Sequence, residues 1–306
     1  MGSVVISIDA ELGWGFHDRR ELPVERIRTA RRNWRRLSSL FDEYEIPVTW
    51  AIVGHLFCEK CERTHTDHPA GTRCCSSAAG DVPAEKVWFG DGVVEAVRDA
   101  DVAHEIAGHG FTHVHFEHGR MYREFAASEV RSCLAAASER GLTLDSFVFP
   151  VNRVGYRDLL ADHGITCYRG ETPSRRNRRQ KLLDVVRNRG RPPTVVPEVD
   201  EYGLVNVPAS MNLFGFEGWA RSLVQPIRGD PITNRIQRGI DALAERDGVL
   251  HLWFHPHDLT HRRDFERFRS VLDAIARGRD HASIRVETMG DVAARVTDAD
   301  ERSADQ

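Results

Sequence analysis

Strand-like apolar runs alternate with helix-patterned stretches along almost all of this 306-residue chain, and no other feature narrows its architecture as much. VVISI (4–8) reads as a strand, followed by a helix near 23–43 and by VTWAIVG (48–54). A helix near 91–99, EIAGHG (105–110), a helix near 119–140 and SFVFP (146–150) come next. After a short helix, ITCYRG (165–170) and GLVNVPA (203–209) add two strands. A helical region at about 216–246 leads to VLHLWFH (249–255), a helix near 263–278, SIRVET (283–288) and a last helix. Strands separated by helices run parallel, because each crossover carries the chain back to the same end of the sheet. Seven or eight such repeats predict an α/β fold: a distorted (β/α) barrel of seven or eight parallel strands. Single barrels of this kind commonly reach this length. Residues 1–298 read as one barrel domain with insertions at about 57–89 and 171–198, and 299–306 as a disordered tail.

Composition removes several classes of function. The net charge of −4 supplies no basic field, so nucleic acid is not an expected partner. No apolar run approaches the roughly 18–20 residues of a transmembrane helix. The opening MGSVVISIDAELGWG has no basic leader, and the expectation is a cytoplasmic protein. Two basic clusters stand out. RRNWRR (31–36) reads as the solvated face of an amphipathic helix, and SRRNRRQK (174–181) as a solvated loop or a contact for an anionic ligand. Of six cysteines, Cys133 and Cys167 fall in helix and strand patterns and read as buried thiols. Cys58, Cys61, Cys74 and Cys75, with His65 and His68 between them, have the inventory of a small structural zinc site or are unpaired thiols.

In parallel barrels the chemistry gathers where strands end. The first strand ends in Asp9-Ala10-Glu11, and residues two apart on a strand face the same side. Two acids aimed into one space need a cation or a proton to share, unless they sit in a solvated loop. Past the third strand pattern, His109 and His113 form a His-x-x-x-His pair flanked by Gly108 and Gly110. On a helical turn that spacing lets two imidazoles chelate one metal; otherwise they are unrelated surface histidines. In VLHLWFHPHDL, His251, Trp253 and His255 share one face. His255 sits at the strand end as a core or a functional residue, beside an aromatic that could wall a pocket; His257 could support it.

In this order, strand-end acids, H-x-x-x-H, an FxxP segment and a late L-x-x-H resemble the polysaccharide deacetylases of the NodB-homology type. Residues from about 3 to 260 carry the likeness. The first motif, S-x-D-x-E, and the segments GITCYRGE, GLVNVPAS and HLWFHPH are similar to a branch often found with surface-glycan genes. The resemblance implies a divalent metal, usually zinc, and hydrolysis of an N-acetyl, sometimes O-acetyl, group on a sugar or glycan. It implies Glu11, His109 and His113 as metal ligands, Asp9 as the base toward the attacking water and His255 as the acid toward the leaving amine. Two histidines and a carboxylate leave one ligand position open, as catalytic zinc sites do.

Two positions depart from the family pattern: Glu11 is one methylene longer than the usual Asp ligand, which fits this branch, and the residue after the FxxP proline differs. Members of the branch carry Arg immediately after the FxxP proline to orient the carboxylate, and here Val151 follows Pro150. Arg153 or Arg169 could reach the same space; without either, the base would be poorly oriented. Two other readings therefore stand beside a sugar deacetylase: a metal-dependent hydrolase of a non-sugar amide or cyclic imide, and a catalytically impaired glycan-binding relative.

Overall fold

The computed structural model describes residues 1–61, 78–119, 121–171, 194–214, 230–281 and 284–304. Strand β1 (Ser3–Ala10) is buried along its whole length, which fits its unbroken apolar character. It pairs in parallel with β9 (Val249–Phe254) on one edge. On the other edge β2 (Thr49–Ile52) takes its C-terminal half and β10 (Arg285–Glu287) its N-terminal half. From β2 the sheet continues in parallel through β3 (Glu105–Gly108), β4 (Ser146–Val148), β5 (Cys167–Arg169) and β7 (Val205–Asn206). Strand β6 (Glu198–Val199) adds to β7 antiparallel, and β8 (Met211–Asn212) runs parallel to β9. The chain between β7 and β8 curls this sheet round. Val207 and Ala209 donate to the Tyr168 and Gly170 carbonyls, after which Ser210 and Leu213 donate to His251 and Trp253. The outcome is the expected barrel-like sheet, mostly parallel, with β6 the antiparallel exception.

Around it lie α1 (Val24–Tyr44), α2 (Ala84–Trp88), α3 (Val94–Arg98), α4 (Arg123–Glu139), α5 (Arg157–Asp162), α6 (Pro231–Glu245), α7 (Arg262–Asp280) and α8 (Met289–Ala304). In α1, Ile27, Ala30, Trp34, Leu37 and Phe41 recur at three- and four-residue steps and are buried. Trp34 stacks on Trp50 of β2 at 5.5 Å. Burying a large apolar side chain stabilises by about 1.5–3 kcal/mol, so this stripe holds the helix to the sheet. Arg32, Arg35 and Arg36 are exposed, in line with the solvated face expected for RRNWRR, whereas Arg31 is half-buried and donates to the Lys86, Phe89 and Asp91 carbonyls.

The strand period of two sorts β1 between two environments. Val4, Ile6 and Ile8 point outward into the helix layer. Val5 points inward, with Ala51, Ala107, Val148, Cys167, Val205 and Val249, and α8 packs Met289 and Val292 beneath them. These small inward residues form an apolar belt across the barrel and separate a polar floor from a polar mouth. Cys133 and Cys167 are buried, and burial pushes the Cys133 thiol up to about 12.

One boundary differs from the sequence reading, and other readings fall partly or wholly outside the described residues. Described helix begins only at Pro231, where Asp230 Oδ1 accepts from the Ile232 and Thr233 N–H groups (2.9 and 3.3 Å); residues 215–229 lie outside the described residues. The last helix continues to Ala304, into the stretch expected to be disordered, although the apolar face it packs on the barrel ends at Val296. Cys74, Cys75, His65, His68 and the 174–181 basic cluster lie outside the described residues, while Cys58 and Cys61 are half-buried. Among the described residues no helix is long and apolar enough to cross a membrane.

Candidate metal centre at the barrel mouth

Glu11 follows β1 directly, and His109 follows β3. Glu11 Oε1 lies 3.4 Å from His109 Nε2 and 3.0 Å from His113 Nε2, and the three donors form one tight, buried group. Gly15 makes room for it, since a Cβ there would collide with Glu11 Oε2. His109 Nδ1 lies 2.7 Å from the Val148 carbonyl oxygen, which can only accept, so Nδ1 is the donor there. That leaves Nε2 facing the Glu11 carboxylate, where it could share a cation with it. His113 Nε2 is buried without a hydrogen bond, although Glu11 Oε1 lies 3.0 Å away. An unpartnered imidazole nitrogen, a second one aimed at a carboxylate, and an N₂O donor set together fit a divalent metal.

The His-x-x-x-His pair reaches this geometry differently from expected. Residues 109–113 are an irregular loop rather than a helical turn, with Gly110 at φ +71° and His113 at φ +60°. The left-handed His113 turns its ring back toward His109, and the ring centroids are 4.9 Å apart.

Asp9, the penultimate residue pair's inward member on β1, meets Arg169 at the end of β5. The guanidinium donates to Asp9 Oδ1 and Oδ2 at 2.6 and 2.7 Å, and both side chains are buried. Paired, planar bonds of this kind are strong and orient the carboxylate. Burial pushes the Asp9 pKa up, but Arg169 outweighs it and the net shift is downward. Arg169 is itself held on several sides. It donates to Ser7 Oγ (2.9 Å) and Asn152 Oδ1 (3.0 Å), and it lies over the Trp253 ring at 4.8 Å. Ser7 Oγ lies 2.8 Å from His251 Nε2, and His251 Nδ1 is 3.0 Å from the Val207 carbonyl oxygen. Burial and then Arg169 push His251 down to about 3, so it is a neutral support rather than an acid.

His255 closes the opposite side. Its Nε2 is 3.6 Å from Glu11 Oε1 and 4.0 Å from Asp9 Oδ2. Its Nδ1 lies 3.1 Å from Asp258 Oδ2, which also accepts from the His255 backbone N–H at 2.9 Å. Burial opposes a proton on His255, yet Glu11 and Asp258 outweigh it and push the pKa well up. His257 stacks on His255 at 4.7 Å; burial and that neighbour push it down to about 4. Trp253 Nε1 is buried with no hydrogen-bond partner.

Thus Asp9, Glu11, His109, His113 and His255 come together, with Arg169, Trp253 and His257 around them. Arg153 does not join them: it is exposed beyond the turn after β4. Val151 and Asn152 in that turn are left-handed (φ +50° and +55°), which sends Val151 outward, 49% exposed, and Asn152 in toward Arg169. Arg169, delivered by another strand, therefore orients the carboxylate despite Val151. Sequence reasoning missed Asp258 and Asn152. The spacing His-Pro-x-Asp, a proline turn returning a carboxylate to the histidine, was a usable signal for Asp258; none marked Asn152.

No protein-family model matches the chain, and no curated protein matches it in sequence. Its fold is nonetheless shared with solved structures. A provisionally assigned polysaccharide deacetylase from Mycobacterium smegmatis superposes with a TM-score of 0.63 at 16% identity, over 97% of this chain and 91% of that one. Another from Pseudomonas aeruginosa PAO1 gives 0.59 at 12% identity, over 95% and 89%. Puue allantoinase gives 0.58 at 14% identity, over 95% and 88%. The architecture is thus that of the polysaccharide deacetylase structures.

Proposed function

We propose that this chain is a cytoplasmic, metal-dependent hydrolase of the S-x-D-x-E deacetylase branch, removing an N-acetyl or O-acetyl group from a sugar or glycan precursor. The observation that carries this reading is the convergence of Glu11, His109 and His113 at the barrel mouth, with His255 between them and Asp9. Those three side chains would hold a divalent metal, zinc by preference, which polarises a carbonyl and lowers the pKa of water. Asp9, kept ionised by Arg169, accepts the proton of the attacking water. The water oxygen bonds to the acyl carbon and the C–N bond, or in an O-acetyl group the acyl C–O bond, breaks. His255, backed by Asp258, donates its Nε2 proton to the leaving nitrogen. Amine and acetic acid depart, the acid ionising to acetate in solvent, and solvent exchange returns the proton from Asp9 to His255. Trp253, packed beside Arg169 and His255, would wall the substrate site.

The test is release of acetate and free amine from a panel of N-acetylated sugars by zinc-loaded protein, with metal content measured alongside. His109→Ala should lose most of the metal and the activity while keeping its circular dichroism spectrum. Full metal content in that variant would sink the ligand set. The likeness to Puue allantoinase, nearly as strong as the other two, favours a second reading: hydrolysis of a non-sugar amide or cyclic imide. Turnover of such compounds or of allantoin, with every sugar inert, would establish that reading instead. Metal uptake with no hydrolysis at all would leave a glycan-binding relative. A metal-to-protein ratio near two would add a structural zinc at Cys58, Cys61, Cys74 and Cys75.

A further inference from the structure

We propose that Glu129 is a positioning residue for the metal centre: its carboxylate holds the His109–His113 loop in the shape that aims both imidazoles at Glu11. This rests on the reading of Glu11, His109 and His113 as metal ligands. Glu129 lies in the middle of α4, where a helix offers a side-chain carboxylate no backbone partner, and it is only 2% exposed. A buried carboxylate is costly unless donors surround it. Here the donors come from the loop between the two histidines. Oε2 accepts from the Phe111 and Thr112 backbone N–H groups at 2.9 and 2.8 Å, and Oε1 from Thr112 Oγ1 at 2.6 Å. Successive N–H groups converging on one anion form a nest, a local shape that a chain adopts around negative charge.

That shape is otherwise unfavourable. The loop is left-handed at Gly110 and again at His113, and a non-glycine residue in that region persists only when its surroundings impose it. The surroundings act from two sides. Gly54 and His55, just after β2, donate to the Gly110 and Phe111 carbonyls at 2.8 and 2.9 Å. Glu129 takes the N–H groups from the other side. A Cβ at Gly110 would already be 3.4 Å from Glu129 Oε2, which shows how closely the carboxylate is seated. Without it, two buried N–H groups lose their acceptor and the loop loses its hydrogen bonds to α4.

The experiment measures zinc affinity of the full chain, stripped by chelator and titrated against a chromophoric competitor. Circular dichroism and melting of the apo forms report folding separately. Glu129→Met keeps the length and removes every acceptor; its zinc dissociation constant should rise about 10–100-fold, as for other groups that orient metal ligands. Glu129→Gln can still accept both N–H groups at its amide oxygen and should stay nearer wild type. Thr112→Val should weaken zinc binding and Thr112→Ser should restore it. A folded Glu129→Met variant with wild-type affinity overturns the proposal, leaving the ligand reading intact. Should that variant not fold, unchanged affinity in Thr112→Val overturns it equally. Wild-type protein that takes up no zinc removes both this inference and the ligand reading.

Discussion

At the floor of the barrel, Glu105 meets the hydroxyls of Ser146 and Thr49 (the latter at 2.6 Å) and the Gly290 N–H (3.2 Å) at the start of α8. At the mouth, Asp9 takes both arms of a guanidinium. The two carboxylates respond oppositely. Burial, the main influence on Glu105, pushes its pKa up because its donors are neutral, whereas Arg169 overcomes burial and holds Asp9 down. The ends also differ in completeness. The floor groups Ser3, Thr49, Glu105, Ser146 and Glu287 satisfy one another and α8, and none has a buried polar atom without a partner. At the mouth His113 Nε2 and Trp253 Nε1 lack one. A floor that closes on itself serves stability. At the mouth, under the proposed function, those unpartnered nitrogens lie where a metal and a substrate would bind.

That contrast fails if the mouth carboxylate and histidine prove dispensable. Asp9→Asn and His255→Ala should each lower kcat by about 10²–10⁴-fold while metal content stays near wild type. Loss of metal in Asp9→Asn, with retention in Glu11→Gln, would mean that the two acids exchange roles.

Arg169→Met comes next in size. It leaves Asp9 buried without its cation, and breaking a buried pair in this way costs about 3–5 kcal/mol. Denaturant unfolding of the apo protein measures this; a loss under about 1 kcal/mol would show that the pair is not what secures the mouth. Arg169→Lys should not restore the wild type, because an ammonium cannot make the paired contact.

The floor should behave in the other sense. A carboxyl whose folded pKa is raised contributes stability that is fully present below its unfolded pKa and is lost as pH rises through the folded value. Wild-type Tm should therefore fall relative to Glu105→Gln as pH climbs through that window, with kcat unchanged in the variant. A kcat loss comparable to that of Asp9→Asn would erase the distinction between floor and mouth. The smallest effect belongs to Val151→Arg. Both Asp9 oxygens are already engaged and Val151 points outward, so kcat/KM should stay where it is. A clear gain would mean that Arg169 orients the carboxylate incompletely.

Much of the mouth was legible one strand at a time. The period of two put Asp9 and Glu11 on a common side, and likewise His251, Trp253 and His255, because the pleat is a property of neighbouring residues. The same local rule divided Val4, Ile6 and Ile8 from Val5, and the spacing of strands and helices predicted the parallel barrel. What needed the tertiary structure was every partnership between strand ends. Arg169 lies 160 residues from Asp9, and the choice between it and Arg153 turned on two left-handed residues after Pro150. The histidine pair looked like a helical turn because its spacing allows one. It is instead a loop, hydrogen-bonded to Glu129 of α4 and to backbone just after β2. Local periodicity says which way a side chain points. What it meets there depends on how the strands curl and where distant charges must be neutralised, and neither is written in the neighbouring residues.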